Sequence, residues 1–397
     1  MPVVSSDHLN RIYRGTNEKT APTAPKQLVP MTATVTQNGH ANGVSNGHAN
    51  DAPNGFKDDQ ESKDQVRLSP TIPSSELFSA LTEVEVDFEK FFCIGKPRKV
   101  LSHFTIKLTE LTYLPKIDNP RRDWVASVAV PAFLAHRAQN EVKAFATVGT
   151  GGGLDAIAAM DIFNPECIAM TDLHQPVVDA AAENFRIATA GLSCANFIAA
   201  AGDILAPLAN KNCKFDLIYE NLPNIPLDDA HEIDAGQTSS TYVPHRSEDI
   251  PAIATNNLLA LHFLALRQAK SLLSDTGAII SSIGGRVEIA ILLKMASEAG
   301  YRAEILTYTW KIQSEPEEVI GGYKKNQEDG LGPFYFYPVA ILEKTFGNLD
   351  PAAAGRRAEE IEGLLRPHAV DALTALELHR NGLEIGHTVA IVRSTLN

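Results

Sequence analysis

From residue 143 onward, short apolar runs alternate with longer stretches of helical periodicity. KAFATV (143–148) reads as a buried strand, and LDAIAAMDIF (154–163) as the helix behind it. CIAMTD is a second strand, followed by the helix PVVDAAAENFRIATA. FIAAAGD and KFDLIYEN are apolar runs with polar tips, the third and fourth strands. A helical pattern, TNNLLALHFLALRQAKSLL, precedes the strand GAIISSI, and VEIAILLKMASEAG is the next helix. RAEILTYTW and PFYFYPVAILE read as two further strands, able to close an antiparallel hairpin. Strands alternating with helices predict an α/β fold with a doubly wound, mostly parallel sheet. This core spans 141–345. Residues 346–397 add a helix, AAAGRRAEEIEGLL, and a late strand, HTVAIV, as a C-terminal extension.

The pattern differs ahead of the core. Leu77, Leu81, Val84 and Phe88 fall at helical spacing behind Ser74 or Ser75, a capping start. Residues 71–140 therefore read as an N-terminal helical cap. Residues 1–70 are rich in Asn, Gly, Thr, Pro and Lys and poor in large apolar side chains. Such a segment cannot offset its ordering entropy, which predicts a disordered leader. Within it, His40 and His48 belong to the repeat NGHANGVSNGHAN and read as linker.

Composition narrows the function classes. The chain has 397 residues, 44% hydrophobic, with 48 acidic against 35 basic residues and a net charge of -13. That balance argues against nucleic-acid and anionic-membrane partners, which favour basic faces. No run of about 18 apolar residues suits a membrane span, and the polar N-terminus lacks a signal-peptide core, so a cytoplasmic location is expected. Cys93, Cys167, Cys194 and Cys213 lack metal-ligand spacing and read as inert thiols, with no metal expected.

Candidate chemistry sits at the strand tips. Gly149, Gly151 and Gly153, in TVGTGGG, join the first strand to its helix and let a ligand approach the backbone. The spacing is G-x-G-x-G, not the dinucleotide G-x-G-x-x-G, because Leu154 holds the last position. Asp172 ends the second strand about 20 residues further on, where an acid can accept both hydroxyls of a ribose or cap the next helix. Gly202-Asp203 follows the third strand, and Asn221 opens the turn Leu-Pro-Asn-Ile-Pro after the fourth.

Taken together, GTGGGLDAIAA, AMTDLHQPVVDAAAENF, AGDILAPL and KFDLIYENLPNIP resemble a class I S-adenosylmethionine-dependent methyltransferase with a Rossmann-like core, over about 143–226. The resemblance implies S-adenosyl-L-methionine as cofactor, held by Gly149, Gly151, Gly153, Asp172 and Asn221, with Asp203 on the adenine amino group. HemK-like glutamine and amine N-methyltransferases are similar, with two departures. They carry an acid where this chain has Thr147. They carry Asn-Pro-Pro-Tyr where it has Asn221-Leu222-Pro223-Asn224, so the aromatic that stacks on a planar amide is missing.

The second half, SSIGGRVEIAILLKMASEAGYRAEILTYTWKIQSE with FYFYPV and NGLEIGHTVAIV, resembles methionine S-methyltransferase. The likeness is to the methyltransferase part of the plant enzyme and to stand-alone bacterial enzymes. It implies methyl transfer to the thioether of L-methionine, giving S-methyl-L-methionine. The alternatives are N-methylation of a small amine or a protein glutamine, and a methyltransferase-like scaffold without activity. A thioether has no proton to lose, so no general base is required. Tyr219, Tyr242, Tyr335 and Tyr337 are candidates for a ring facing a sulfonium, and Asn221 is a catalytic candidate that either accepts a hydrogen bond from a nitrogen acceptor or only caps the turn. Arg286, just past two glycines, suits a substrate carboxylate. Arg246, with Tyr242 and His245, lies in the polar insert 227–250, read as a lid over the site. Glu220 or Asp228 is the candidate for the ammonium. A small amino-acid substrate and a second copy of the chain are the expected partners.

Overall fold

The structure, a computed structural model, describes residues 81–190, 196–226, 242–243 and 246–397. They lie in the unit Phe78–Asn397; the other, Met1–Leu77, falls outside the described residues, and so does the expectation of a disordered leader.

Five strands run parallel because the helices between them carry the chain back across the sheet. They are β3 (Ala144–Val148), β4 (Cys167–Asp172), β5 (Asn196–Ala201), β6 (Phe215–Glu220) and β9 (Leu273–Gly285). Two long strands follow, β10 (Tyr301–Ile312) and β12 (Ile385–Leu396). The sheet order is β5-β4-β3-β6-β9-β12-β10, and the two-residue β11 (Tyr337–Pro338) pairs with the start of β12. β12 is antiparallel to both neighbours. The order reverses at β3, between β4 and β6, and this leaves a crevice over the strand tips.

Both faces are covered. Phe145, Ile168, Leu217, Tyr219 and Ile280 share a core with α1 (Val130–Arg137), α2 (Leu154–Phe163) and α3 (Gln175–Ala188). On the other face lies α4 (Ala260–Ala269), whose buried His262 meets Glu220 from β6. Beyond it, the Tyr301 hydroxyl donates to Leu266 O at 2.7 Å. The remaining long helices are α5 (Ile289–Glu298), α6 (Pro316–Glu328), α7 (Val339–Phe346), α8 (Ala358–Leu365) and α9 (Ala372–Arg380).

Three expectations change. The first is the helix over 74–92. Its described part is β1 (Thr82–Asp87), paired with β2 (His103–Leu108), and only Phe88–Phe92 is helical, so 81–140 is no purely helical cap. TEVEVD alternates with period 2, and Val84 and Val86 favour a pleat over a helix turn. Asp87 then starts the short helix by accepting from Lys90 N at 3.2 Å. The second is the strand PFYFYPVAILE. It ends at Pro338, where a ladder donor is lost, and continues as α7. The antiparallel partner of β10 is therefore β12, so the third change is that 346–397 is no appendage. Its last strand lies inside the sheet, with Val389 to Val392 buried.

Candidate functional site

The carboxyl ends of β3, β4, β6 and β9 open into a cavity of about 560 Å³. Gly149, Gly151 and Asp172 line it, with Asp203, Tyr219, Asn221, Arg246 and Arg286. The glycine loop needs its glycines for conformation: φ is +67° at Gly149, +50° at Gly151 and +80° at Gly153. Gly153 does not line the cavity. A Cβ there would sit 3.1 Å from Ala181 O, so this glycine lets α2 approach α3.

Asp172 stands at the tip of β4. Its Oδ2 accepts from Gly151 N at 3.1 Å and Oδ1 from His174 N at 3.4 Å. Burial raises its pKa, while these backbone donors pull it down. Asp203 is held differently. Arg246 meets it as a fork, Nη1–Oδ1 2.6 Å and Nη2–Oδ2 3.0 Å, and Gln268 Nε2 donates to Oδ2 at 3.2 Å. The Arg246 guanidinium beside it holds the Asp203 carboxyl below the usual range. Arg246 also pairs with Glu248, so both sides of its guanidinium are engaged by acids of its own chain. Arg246, expected as a substrate residue of the lid insert, is thus paired with Asp203 and Glu248 on the cavity lining.

Two more expected substrate residues are elsewhere. Glu220 follows Tyr219 on β6, so the pleat turns it to the opposite face. It is fully buried there, with His262 Nδ1 2.9 Å from both carboxylate oxygens, and cannot receive an ammonium in the cavity. Tyr335 lies outside the lining as well: Arg366 stacks over its ring at 4.9 Å. Tyr337 is buried in β11. The backbone of Tyr242 forms β8 (Tyr242–Val243), paired with β7 (Ile225–Pro226), but its side chain, Asp228 and His245 lie outside the described residues.

The turn at Asn221 is built without an aromatic. Leu222 closes over Gly149, where an added Cβ would meet its Cδ2 at 3.4 Å. Asn224 Nδ2 donates to Leu258 O at 2.8 Å and pins the turn. Arg286 lines the cavity at the end of β9. It is 4% exposed, its Nη2 donates to Gln313 Oε1 at 2.6 Å, and its guanidinium lies 4.7 Å over the Tyr323 ring. Its Nε has no partner, and among the described residues no carboxylate pairs with it. Burial lowers its pKa from the usual arginine value.

Sequence reasoning missed the wall residues Asp155, Trp124 and Tyr323, and a buried lysine outside the lining. Lys311, 1% exposed beside this corner, donates to Arg122 O and lies 5.0 Å over the Trp124 ring. Burial pushes its pKa down to about 7. Asp155 lines the cavity from the first turn of α2, bonded to Thr147 and Thr150. Its signal was available: an acid in a largely apolar helix requires a partner or a purpose, and the helix's other acid, Asp161, finds one in the backbone of Arg98 and Lys99. Trp124 and Tyr323 carried no such signal, because they come from segments far away in sequence.

No protein-family model matches the chain, and no curated protein matches it. Several solved structures align with parts of it. One is a ribosomal protein L11 methylase from Lactobacillus delbrueckii subsp. bulgaricus, 20% identical over 46% of this chain and 70% of that one, TM-score 0.30. Another is a precorrin-6y C5,15-methyltransferase from Geobacter metallireducens, 9% identical over 68% of this chain and 89% of that one, TM-score 0.32. A third is a SAM-dependent methyltransferase from Agrobacterium tumefaciens, 11% identical over 54% of this chain and 63% of that one, TM-score 0.34. The architecture stated above rests on the strand order of this chain itself.

Proposed function

We propose that the protein transfers a methyl group from S-adenosylmethionine to the thioether sulfur of free L-methionine, giving S-methylmethionine. The observation that carries this reading is Arg286, a buried guanidinium without a carboxylate partner among the described residues, on the wall of the cavity that also holds the glycine loop and Asp172. Burying such a charge is costly unless something anionic meets it. A free amino acid brings that anion as its α-carboxylate, which a guanidinium can grip with two parallel hydrogen bonds.

The residues present fit the cofactor. Asp172 is a buried acceptor at the strand tip, beside left-handed glycines that allow close approach, and the cavity is large enough for a nucleoside carrying an amino-acid arm. S-adenosylmethionine supplies an activated methyl group on a sulfonium, open to in-line displacement. The task left to the chain is orientation, which can be worth about 7–11 kcal/mol. Asp172 would hold the ribose hydroxyls. Arg286, fixed by Gln313 and by the Tyr323 face, would set the acceptor's carboxylate and hence its sulfur. Leu222 and Val125 exclude water from the lining. No side chain has to take a proton, because a thioether has none to give. The aromatic faces of Tyr113, Trp124 and Tyr323 already carry Lys116, Lys311 and Arg286. A new sulfonium would therefore rely on the carboxylates of the wall more than on an aromatic cage.

Turns built for a planar amide need a flat ring against it. Here Asn224 stands in that place with its side-chain amide turned to Leu258 O, which supports sulfur over nitrogen. The test is mass spectrometry of products formed from methyl-labelled S-adenosylmethionine and a panel of free amino acids and glutamine peptides. Labelled S-methylmethionine is the expected product. If methionine stays inert while an amine or glutamine substrate is labelled, and Asn221→Ala abolishes that labelling, nitrogen is the acceptor and the sulfur reading is wrong.

A further inference from the structure

Asp155 is a buried carboxylate on the cavity wall, and among the described residues no cation pairs with it. Thr147 donates to Oδ2, and Thr150 and Ala156 N donate to Oδ1, the latter two at 3.1 and 2.8 Å. A carboxylate offers about four acceptor positions, so one remains, on Oδ2. The two threonine hydroxyls hold the group in one orientation. The ionisable group facing it is the Tyr219 phenol, kept protonated by burial and by Asp155 itself. Asp172, the next carboxylate along the wall, is turned to Gly151 N, and Glu220 faces the other side of the sheet.

Place along the sheet adds the second argument. Asp203 follows β5 and Asp172 ends β4, so a nucleoside held there lies over that side of the sheet. Asp155 bonds to Thr147 on the neighbouring β3, one strand nearer to Asn221 and Arg286. We infer that Asp155 is the acceptor for the α-ammonium of the amino-acid arm of the bound adenosyl ligand. An ammonium offers N–H donors for the remaining position; a sulfonium offers none. The inference rests on the cofactor reading above and adds a residue that reading does not use. Burial raises the pKa of Asp155 to about 6 even against the hydrogen bonds that pull it down. An ammonium favours the ionised form, so the contact is present above that pKa and is lost as pH falls through it.

The experiment compares two ligands by calorimetry: S-adenosylhomocysteine, which has the ammonium, and methylthioadenosine, which lacks the amino-acid arm. In the Asp155→Asn protein, the affinity for S-adenosylhomocysteine should fall at least about tenfold at pH 7.5 while that for methylthioadenosine holds. In the wild type, the ratio of the two affinities should shrink about tenfold from pH 7.5 to pH 5, one unit below the pKa. Groups that meet only the nucleoside act on both ligands alike and cancel in that ratio. The wild-type measurement decides even if the variant does not fold. Equal losses for both ligands, or a ratio independent of pH, overturn the role of Asp155 and leave the cofactor reading standing. A wild type that binds neither ligand overturns both.

Discussion

At the residue scale the cavity is a set of charges whose partners are either built in or left open, and each state has a measurable consequence. Asp172 keeps its acceptor capacity beside Gly151 N, so Asp172→Ala should weaken S-adenosylhomocysteine binding by about 1–3 kcal/mol in a folded protein. Unchanged affinity by calorimetry would remove it from the site. Arg286 is held by Gln313 and Tyr323 for a planar contact that lysine cannot reproduce. On the proposed function, Arg286→Lys should raise KM for methionine at least tenfold with a smaller effect on kcat; steady-state kinetics reads the split. Asp155 also bears on stability. Its folded pKa of about 6 lies above its usual 3.8, so the folded protein holds that proton more tightly than the unfolded chain. Stability from this group is therefore present at low pH and lost as pH rises through the window, by up to roughly 3 kcal/mol. Asp155→Asn should gain in melting temperature over the ligand-free wild type by more at pH 7.5 than at pH 5. A gap that narrows with rising pH contradicts the burial argument.

At the element scale the alternation of β6 decides which tip residue serves the cavity. Tyr219 faces α1, where Phe133 meets its ring edge-on at 5.1 Å, and its neighbour Glu220 must face α4. From sequence both tip residues look equally available, because a run such as FDLIYEN marks a strand buried on both sides and says nothing of which face holds the site. Glu220 and His262 form a closed pair, so His262→Leu leaves a buried carboxylate without its partner. Loss of one member of such a pair typically costs about 3–5 kcal/mol, and the melting temperature should drop while the fold of any surviving protein is unchanged by circular dichroism. A melting temperature within a degree or so of wild type would mean that Glu220 finds another partner. The same reasoning accounts for β1, where the period-2 run TEVEVD prevails over the helical spacing of Leu81, Val84 and Phe88.

For the whole molecule, the last strand completes the sheet. β12 separates β9 from β10 and bonds to both, which leaves the long β10 with no other neighbour in the sheet. Ending the chain before Ile385 should therefore abolish a cooperative thermal transition, followed by far-UV circular dichroism. A truncated protein that still melts sharply would mean that 346–397 is the appendage its place in the sequence suggests. No helix among the described residues is long and apolar enough to cross a membrane.

The sequence by itself determined the alternation of strands and helices, the parallel sheet, and the positions of Gly149, Gly151, Asp172, Asn221 and Arg286 at strand tips, because these follow from local periodicity and turn chemistry. Only the tertiary structure decided what those side chains meet. Arg246 turns to Asp203, Glu220 to His262 and Tyr335 to Arg366, each across tens of residues of chain, and β12 enters the sheet between strands that precede it. Asp155 gains its meaning in the same way. The chain states that an acid is buried there, and only the packing of β3, β6 and the glycine loop leaves one of its acceptor positions open. Local pattern constrains the backbone; the partner of a charge is set by which distant elements happen to enclose it.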